Sequence, residues 1–568
     1  MSQVNRAGGA SESTATRPAS GPFQPDEAPT VADAVVVGAG PNGLVAANLL
    51  ADAGWEVVVL EAASEPGGAV RTAEVTAPGF ANDLFSAFYP LAAASPVMAR
   101  LRLEEHGLRW VHAPEVMANP TPDGPTVVLS RDIARTSASL DRFALGDGFA
   151  WQELHELWDR ISGPATSALF TPFPPVLAGA RLAARLGPQG TLDLARLAVM
   201  PVRRLSEETF DGAGGGLLLA GNALHADLTP EAAGSAVYGW LLAALGQSVG
   251  FPVPEGGAGR LTDALVARLR SRGGRVVTGA RADGIAVEHG RAVAVRVAGG
   301  GVVGARRAVL ADVGAPQLYL SLLPAGAVPP RVRRAIHRFQ YDAGTVKVDW
   351  ALERPLPWSD PDVGRAGTVH LVDSIDQLSR YAYELATSQV PADPFVLLGQ
   401  MTTTDPTRSP TGTESAWAYT HVPAHPRSDA GGEGIGPVWD EWATERIVER
   451  LEARIERAAP GFRSTILARH VMVPPTMEAA DANLVGGAIN GGTAQIHQQL
   501  VFRPVTGLGR PETPVAGLFL ASASAHPGGG VHGAPGSNAA RAALWADRRR
   551  RLVSGIRSGL GRGPRPAP

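Results

Sequence analysis

The chain of 568 residues contains no cysteine. That excludes a redox-active dithiol, a thiolate nucleophile and a cysteinyl cofactor linkage. The lack of disulfides fits a reducing compartment, and a cytoplasmic location is the expectation. Metal chemistry has little to stand on: HExxH is missing, and the 13 histidines are scattered rather than set at ligand spacing. GxxxxGK[ST] does not occur, so a P-loop kinase reading has no anchor. No apolar run reaches the roughly 18 residues that a spanning helix needs. A formal charge of −3 and a pI near 6.5 argue against nucleic acid as a partner.

Lysine is almost absent too. Of the 51 Lys+Arg residues, Lys347 is the one lysine. Where arginine replaces lysine throughout, the one retained points to a place that needs a compact or titratable ammonium, which a guanidinium cannot supply. It stands in Gly344-Thr345-Val346-Lys347-Val348-Asp349-Trp350, an alternating strand whose periodicity leaves open which face is buried. A solvated surface lysine is the competing reading. His225, in Asn222-Ala223-Leu224-His225-Ala226-Asp227 before an apolar helix over 236–245, is a candidate acid or base. A satisfied core histidine is the alternative there.

What is present is glycine at informative spacing. Residues 35–43 read Val-Val-Val-Gly-Ala-Gly-Pro-Asn-Gly, and a helical stretch and a second apolar strand, Val57–Leu60, lead to Glu61. Gly38 allows a tight turn, Gly40 lets a pyrophosphate approach the backbone, and Gly43 lets helix and strand pack closely. The helix beginning near Asn42 offers unpaired N–H groups to phosphates, and Glu61 stands where a ribose-binding acid is expected. The spacing predicts a dinucleotide.

A second glycine pair, Gly67-Gly68, followed by Arg71-Thr72, resembles the second signature of the large FAD-binding oxidoreductases. Many relatives place arginine directly after the pair; here Ala69 follows, which leaves the phosphate role of Arg71 open. Near the other end, a strand over 517–522 leads to His526-Pro527-Gly528-Gly529-Gly530-Val531-His532-Gly533 and then a helix. That run resembles the C-terminal flavin motif of the phytoene desaturase-like family. The resemblance extends from about Val31 to Leu544 and implies FAD as cofactor. Its implied contacts are His526, Gly529, Gly530 and Val531 at the flavin, with backbone near Ala282 at the adenine. Lys347 resembles the lysine of flavin amine oxidases that holds a water at flavin N5. Two further matches, Asp405-Pro406 and Phe502-Arg503-Pro504, read as structural turns.

The fold implied is α/β: a Rossmann-like FAD-binding domain of glutathione-reductase type, interleaved with an α+β substrate domain. Residues 31–110, 251–315 and 515–547 form the first, and 111–250 and 316–514 the second. Residues 1–30 read as a disordered tail without a secretory h-region, and 548–568 as a basic, flexible one. The activity implied is desaturation or dehydrogenation of an apolar, isoprenoid- or lipid-like small molecule, with an unidentified electron acceptor. Apolar stretches such as 168–177 and 237–242 suit a hydrophobic tunnel or contact with a membrane surface. The alternatives are an amine oxidase-like flavoenzyme and a flavin-free lipid-binding chaperone like the GDP-dissociation inhibitors.

Overall fold

The strand Val31–Val37, apolar apart from Asp33, is buried on both faces, as suits the middle of a parallel sheet. It pairs in parallel with Val57–Leu60 on one side and with Gly301–Ala311 on the other. The first of these pairs with Arg275–Val277 and the second with Leu518–Leu520, again in parallel. An antiparallel hairpin, Ala282–Glu288 with Arg291–Val297, completes a seven-stranded sheet. Three stretches far apart in sequence thus meet in one layer. The computed structural model describes residues 29–122 and 124–560, with the side chains of the last helix as far as residue 553. The expected N-terminal tail lies, apart from its last two residues, outside the described residues.

Among the helices covering one face of this sheet are Pro41–Asp52 and Ala534–Leu560, which lie side by side. Proline at the first position of the former has no N–H to leave unpaired. The C-terminal helix corrects the flexible tail expected from residue 548, because it carries on through Arg548–Arg551. The reason is local: Arg550 and Arg551 donate to the Asp547 carboxylate at 2.7 and 2.9 Å, one helical turn away.

A second seven-stranded sheet runs in the order Ile466–Met472, Gly344–Leu352, Glu414–Val422, Val396–Gln400, Ala366–Leu371, Glu115–Asn119, Val127–Leu129. Its pairs are antiparallel except for Ala366–Leu371 with Glu115–Asn119. One face packs on the helix Glu441–Ala458 through Val346, Val348, Trp350 and Ile447. The opposite face meets the helices Ala213–Leu224 and Ser235–Val249. Among the described residues, no helix is long and apolar enough to cross a membrane.

The two covering helices cross at Gly536, where a Cβ would overlap the carbonyl oxygen of Asn42. Gly536→Ala is expected to cost ~3 kcal/mol by overpacking backbone against backbone. Gly179→Ala, in the helix Val176–Val199 with open space around it, is expected to gain about 0.5–1 kcal/mol. Thermal melts of the two variants check the contrast, and equal melting temperatures would refute it.

Candidate active site

At the end of the first strand the chain turns at Gly38, whose φ of +95° favours glycine. Space is short there too: a Cβ on Gly38 would fall 2.7 Å from Asp312 O, and one on Gly40 2.8 Å from Asp312 Oδ2. The helix behind the turn presents its free N–H groups beside Asn42. One of them, that of Gly43, donates to Asp312 Oδ2 at 2.7 Å. Asp312 follows the strand Gly301–Ala311, and burial pushes its carboxyl up to about 7.

Glu61 ties two segments to this turn. It accepts the N–H of Ala39 at 2.7 Å and that of Ala63 at 2.8 Å, and burial raises its pKa. The second glycine pair leans on the first loop, with Gly67 N–H donating to Ala39 O at 2.9 Å and Gly68 against Gly40. Arg71 spends its guanidinium on Gly68 O at 2.8 Å and Ala480 O at 3.0 Å, and lies over the Phe85 ring. Those are the bonds of a brace for the second loop. Ala282 opens its strand just after Ala280, whose N–H donates to Glu61 O at 2.7 Å.

The C-terminal loop docks on the same helix. Ser95 Oγ donates to His532 O at 2.7 Å, and Gly533 packs on Val45. His532 Nδ1 accepts the N–H of Ala534 at 3.1 Å, so its proton sits on Nε2, 3.2 Å from Gly529 O. Gly529 backs onto Asn490, Gly530 onto Leu91, and Val531 onto the apolar layer under the first helix. His526 Nε2 lies 3.1 Å from Thr171 O. Burial pushes His526 and His532 down to about 4, so both rings are neutral.

Beneath this loop lies Arg503, fully buried. It donates to five backbone carbonyls, Asn490, Gly491, Gly492, Thr493 and Ala523, at 2.7–3.3 Å. From the other side Asp342 accepts the N–H groups of Ile489 and Asn490, both at 2.9 Å. A buried cation and a half-buried carboxylate thus clamp one loop. Asp405, in the other motif read as a turn, accepts the N–H groups of Thr407 at 3.1 Å and Gly256 at 2.7 Å.

The second sheet supplies the facing wall. Lys347 pairs with Tyr419, Tyr419 with Leu397 and Leu397 with His370, a single row across four strands. Lys347 therefore points away from the helix Glu441–Ala458, which settles the parity left open by periodicity. Its ammonium is buried and held by Asp349 Oδ1 and Oδ2 at 2.5 and 2.6 Å, 5.8 Å over the Trp417 ring. His225 Nε2 lies 2.8 Å from His370 Nε2, so one ring donates and the other accepts. Burial pushes His225 down to about 3 and His370 well below its usual range. His421 Nε2 sits 3.3 Å from Asp227 Oδ1, whose carboxyl burial pushes up to about 7. Lys347 and His225 thus share one face, while the Asp227 charge acts on Asp342 and the Asp342 charge on Arg503. Sequence reasoning missed Asp227, Asp312, Asp342, His370 and His421. Asp227, two residues after His225 in the stretch already singled out, was the one within reach.

The residues fit FAD. Asn42 Oδ1 and Ser537 Oγ, on the first turns of the two covering helices, and Asn490 Nδ2 beside Gly529 are buried without a partner. Buried polar atoms are rarely left so, and these flank glycine cradles too tight for side chains. The flavin containing amine oxidoreductase model matches residues 42–417, and the chain belongs to that family. It is a flavoenzyme, an FAD-dependent oxidoreductase. It is 29% identical to pyridine nucleotide-disulfide oxidoreductase domain-containing protein 2 of Mus musculus, over 89% of this chain and 92% of that one. It is 24% identical to a limonene dehydrogenase chain of Castellaniella defragrans, over 90% and 94%. Phytoene desaturase (lycopene-forming) of Pseudescherichia vulneris is 26% identical over 54% of this chain and 58% of that one. Among solved structures, an oxidoreductase from Methanosarcina mazei superposes with a TM-score of 0.58 at 17% identity, covering 90% and 99%. Cyclohexylamine oxidase from Brevibacterium oxydans does so at 0.56 and 15%, covering 92% and 99%.

Asp312 has a raised pKa in the folded chain, so its favourable contribution is full below its unfolded value and is lost as pH rises towards about 7. Asp312→Asn keeps the acceptor for Gly43 and removes that loss. Its stability relative to wild type is expected to grow by ~2 kcal/mol between about pH 5.5 and pH 8. Urea unfolding at the two pH values measures this, and a pH-independent difference would contradict it. Arg503→Met strands five carbonyls at once and is expected to cost ~3 kcal/mol or more in the same assay.

Proposed function

We propose that the chain is a dehydrogenase or desaturase that removes hydride from a C–H bond of an apolar, isoprenoid- or lipid-like substrate. The observation that carries this reading is the electrical neutrality of the wall bearing Lys347 and His225. Lys347 is paired with Asp349, and the imidazoles of His225 and His370 are held neutral. A charged substrate would find no counter-ion there and would lose its hydration. An apolar one meets rings such as Phe251, 6.4 Å from His225, and Phe395, 5.4 Å from His370. Two of the relatives carry names of this kind, limonene dehydrogenase and phytoene desaturase.

Gly38, Gly40, Asn42, Gly43, Glu61, Gly67, Gly68 and Ala282 would hold the adenosine diphosphate half of FAD, and His526 and Gly529–Val531 the flavin half. FAD held there would supply a hydride acceptor able to hand electrons on to an external acceptor. His225 takes the proton lost beside the new double bond. A proton next to a developing carbocation is acidic enough for a base of that strength, and His370, 2.8 Å away, shares the charge. Lys347 acts as a fixed ammonium on that wall, its charge balanced by Asp349 until the pair opens.

Amine oxidation is the second reading, favoured by the stacked rings of Trp417 and Tyr419 at 5.9 Å. That stack lies on the same wall, yet the cation over Trp417 is the chain's own Lys347. The purified protein is expected to show flavin absorption that dithionite bleaches under nitrogen and air restores slowly. An isoprenoid hydrocarbon should bleach it and a primary amine should not; the reverse result would select amine oxidation. Lys347→Met leaves Asp349 buried and unpaired, at an expected cost of ~3–5 kcal/mol. Lys347→Met with Asp349→Leu should recover most of it. Restored stability with an altered rate of reoxidation in the double variant would separate a chemical role for Lys347 from a structural one.

A further inference from the structure

Outside the wall just described, a cavity of about 550 Å3 opens between the C-terminal helix, the segment 167–181 and residues 510–512. That volume falls within the range of roughly 300–1,000 Å3 typical of small-ligand sites. Asn538, Arg541, Ala542 and Trp545 line it from one stripe of the helix, at i, i+3, i+4 and i+7. Pro174, Val176 and Leu177 line the facing side, and Val176, Leu177 and Trp545 are 69%, 76% and 60% exposed.

Two features say what belongs there. The first is charge: Arg181, Arg510 and Arg541 all border the cavity, against one carboxylate, Glu512. Among the described residues none of the three arginines makes a hydrogen bond or ion pair. Arg100 adds its field to that of Arg541. The second is Asn538, 2% exposed, with neither amide atom bonded to anything in the chain. A buried amide left without partners is costly and calls for a ligand or solvent to complete it. An apolar trough with an unpaired amide and guanidinium at one end, one helical turn apart, is complementary to an amphiphile with an anionic head. A concave site with a buried polar floor also differs from the flat apolar face that rests on a bilayer.

We propose that this cavity binds a single long-chain fatty carboxylate, its head between Asn538 and Arg541 and its chain along Trp545 and the Pro174–Leu177 segment. The guanidinium of Arg541 and the Nδ2 of Asn538 donate to the carboxylate oxygens. Arg181 and Arg510 close the rim. The site abuts the C-terminal glycine loop, because Thr171 lines the cavity and its carbonyl lies 3.1 Å from His526 Nε2. The binding is independent of the reaction proposed above.

Isothermal calorimetry of the full chain with monomeric oleate tests this. One oleate per chain is expected, with methyl oleate at least tenfold weaker. Arg181→Glu with Arg541→Glu, both exposed positions, should weaken oleate at least tenfold, and Asn538→Leu likewise, while the flavin spectrum stays unchanged. Melting curves of each variant confirm folding, and Arg541→Gln provides a milder substitution with a smaller loss in the same direction. Equal binding of oleate and methyl oleate would overturn the proposal, as would full-strength oleate binding by the double variant. So would adsorption to phosphatidylglycerol vesicles in a chain that takes up no monomeric oleate, which would make the patch a membrane surface. Loss of the flavin reading would leave the oleate result untouched.

Discussion

Gly536 and Asn42 come from opposite ends of the chain, and their backbones touch where the two covering helices cross. The contact leaves no room for a Cβ, so helix spacing is set by main chain rather than by side chains. Much else follows from that closeness. It brings the N-terminus of the last helix beside the N-terminus of the first, so two sets of free N–H groups are gathered in one place. Asp312 then adds the middle of the chain, by accepting from Gly43 within the same turn. Three segments that could have packed independently are locked into one anion-receptive junction, and a long insertion can lie between any two of them without disturbing it.

The second principle is how buried charge is handled. Arginine does the structural work: Arg503 reaches five carbonyls with one planar fork, and Arg408 forms a fully buried pair with Asp83 at 2.7 Å. No ammonium could span the Arg503 set, since its three donors leave from one nitrogen. Conversely, the pair at 347 and 349 joins residues two apart on one strand, a short reach that suits a compact point charge. A chain that favours arginine everywhere else keeps lysine at a position whose carboxylate partner is two residues away and equally buried. The consequence for chemistry is a wall that contains ions yet presents little net charge.

The first strand–turn–helix–strand unit was legible in the sequence because its determinants are local. Gly38, Gly40, Gly43 and Glu61 fall in one strand–turn–helix–strand unit, and spacing alone sets their geometry. The strand bearing Lys347 was equally legible as a strand. Its facing was not, because parity is decided by pairing with residues 414–422 and 466–472, far away in sequence. His370 could not be attached to His225 for the same reason: their contact spans 145 positions and needs the register of four strands. Arg503 lay inside a motif noticed at the outset, but nothing local says that an arginine beside a proline will be buried under carbonyls. The basic run at 548–551 misled in the other direction. Charge density suggested a loose tail, whereas Asp547 spaced at three and four residues from Arg550 and Arg551 supports helix.

Two contacts join the C-terminal glycine loop to the apolar surface. The glycine loop at 528–533 is where the fold gathers backbone, and the segment around Thr171 is where it exposes apolar side chains. His526 touches Thr171, and Phe170 lies 5.0 Å from the His532 ring. Both imidazoles are neutral, so the link is made of hydrogen bonds and ring contacts that tolerate small displacements. Segment 167–177 can therefore shift against the loop without breaking an ion pair, whereas the loop itself is pinned by Arg503 from below. A hydride transfer of the kind proposed above needs such a fixed loop to hold the distance at the reacting atoms.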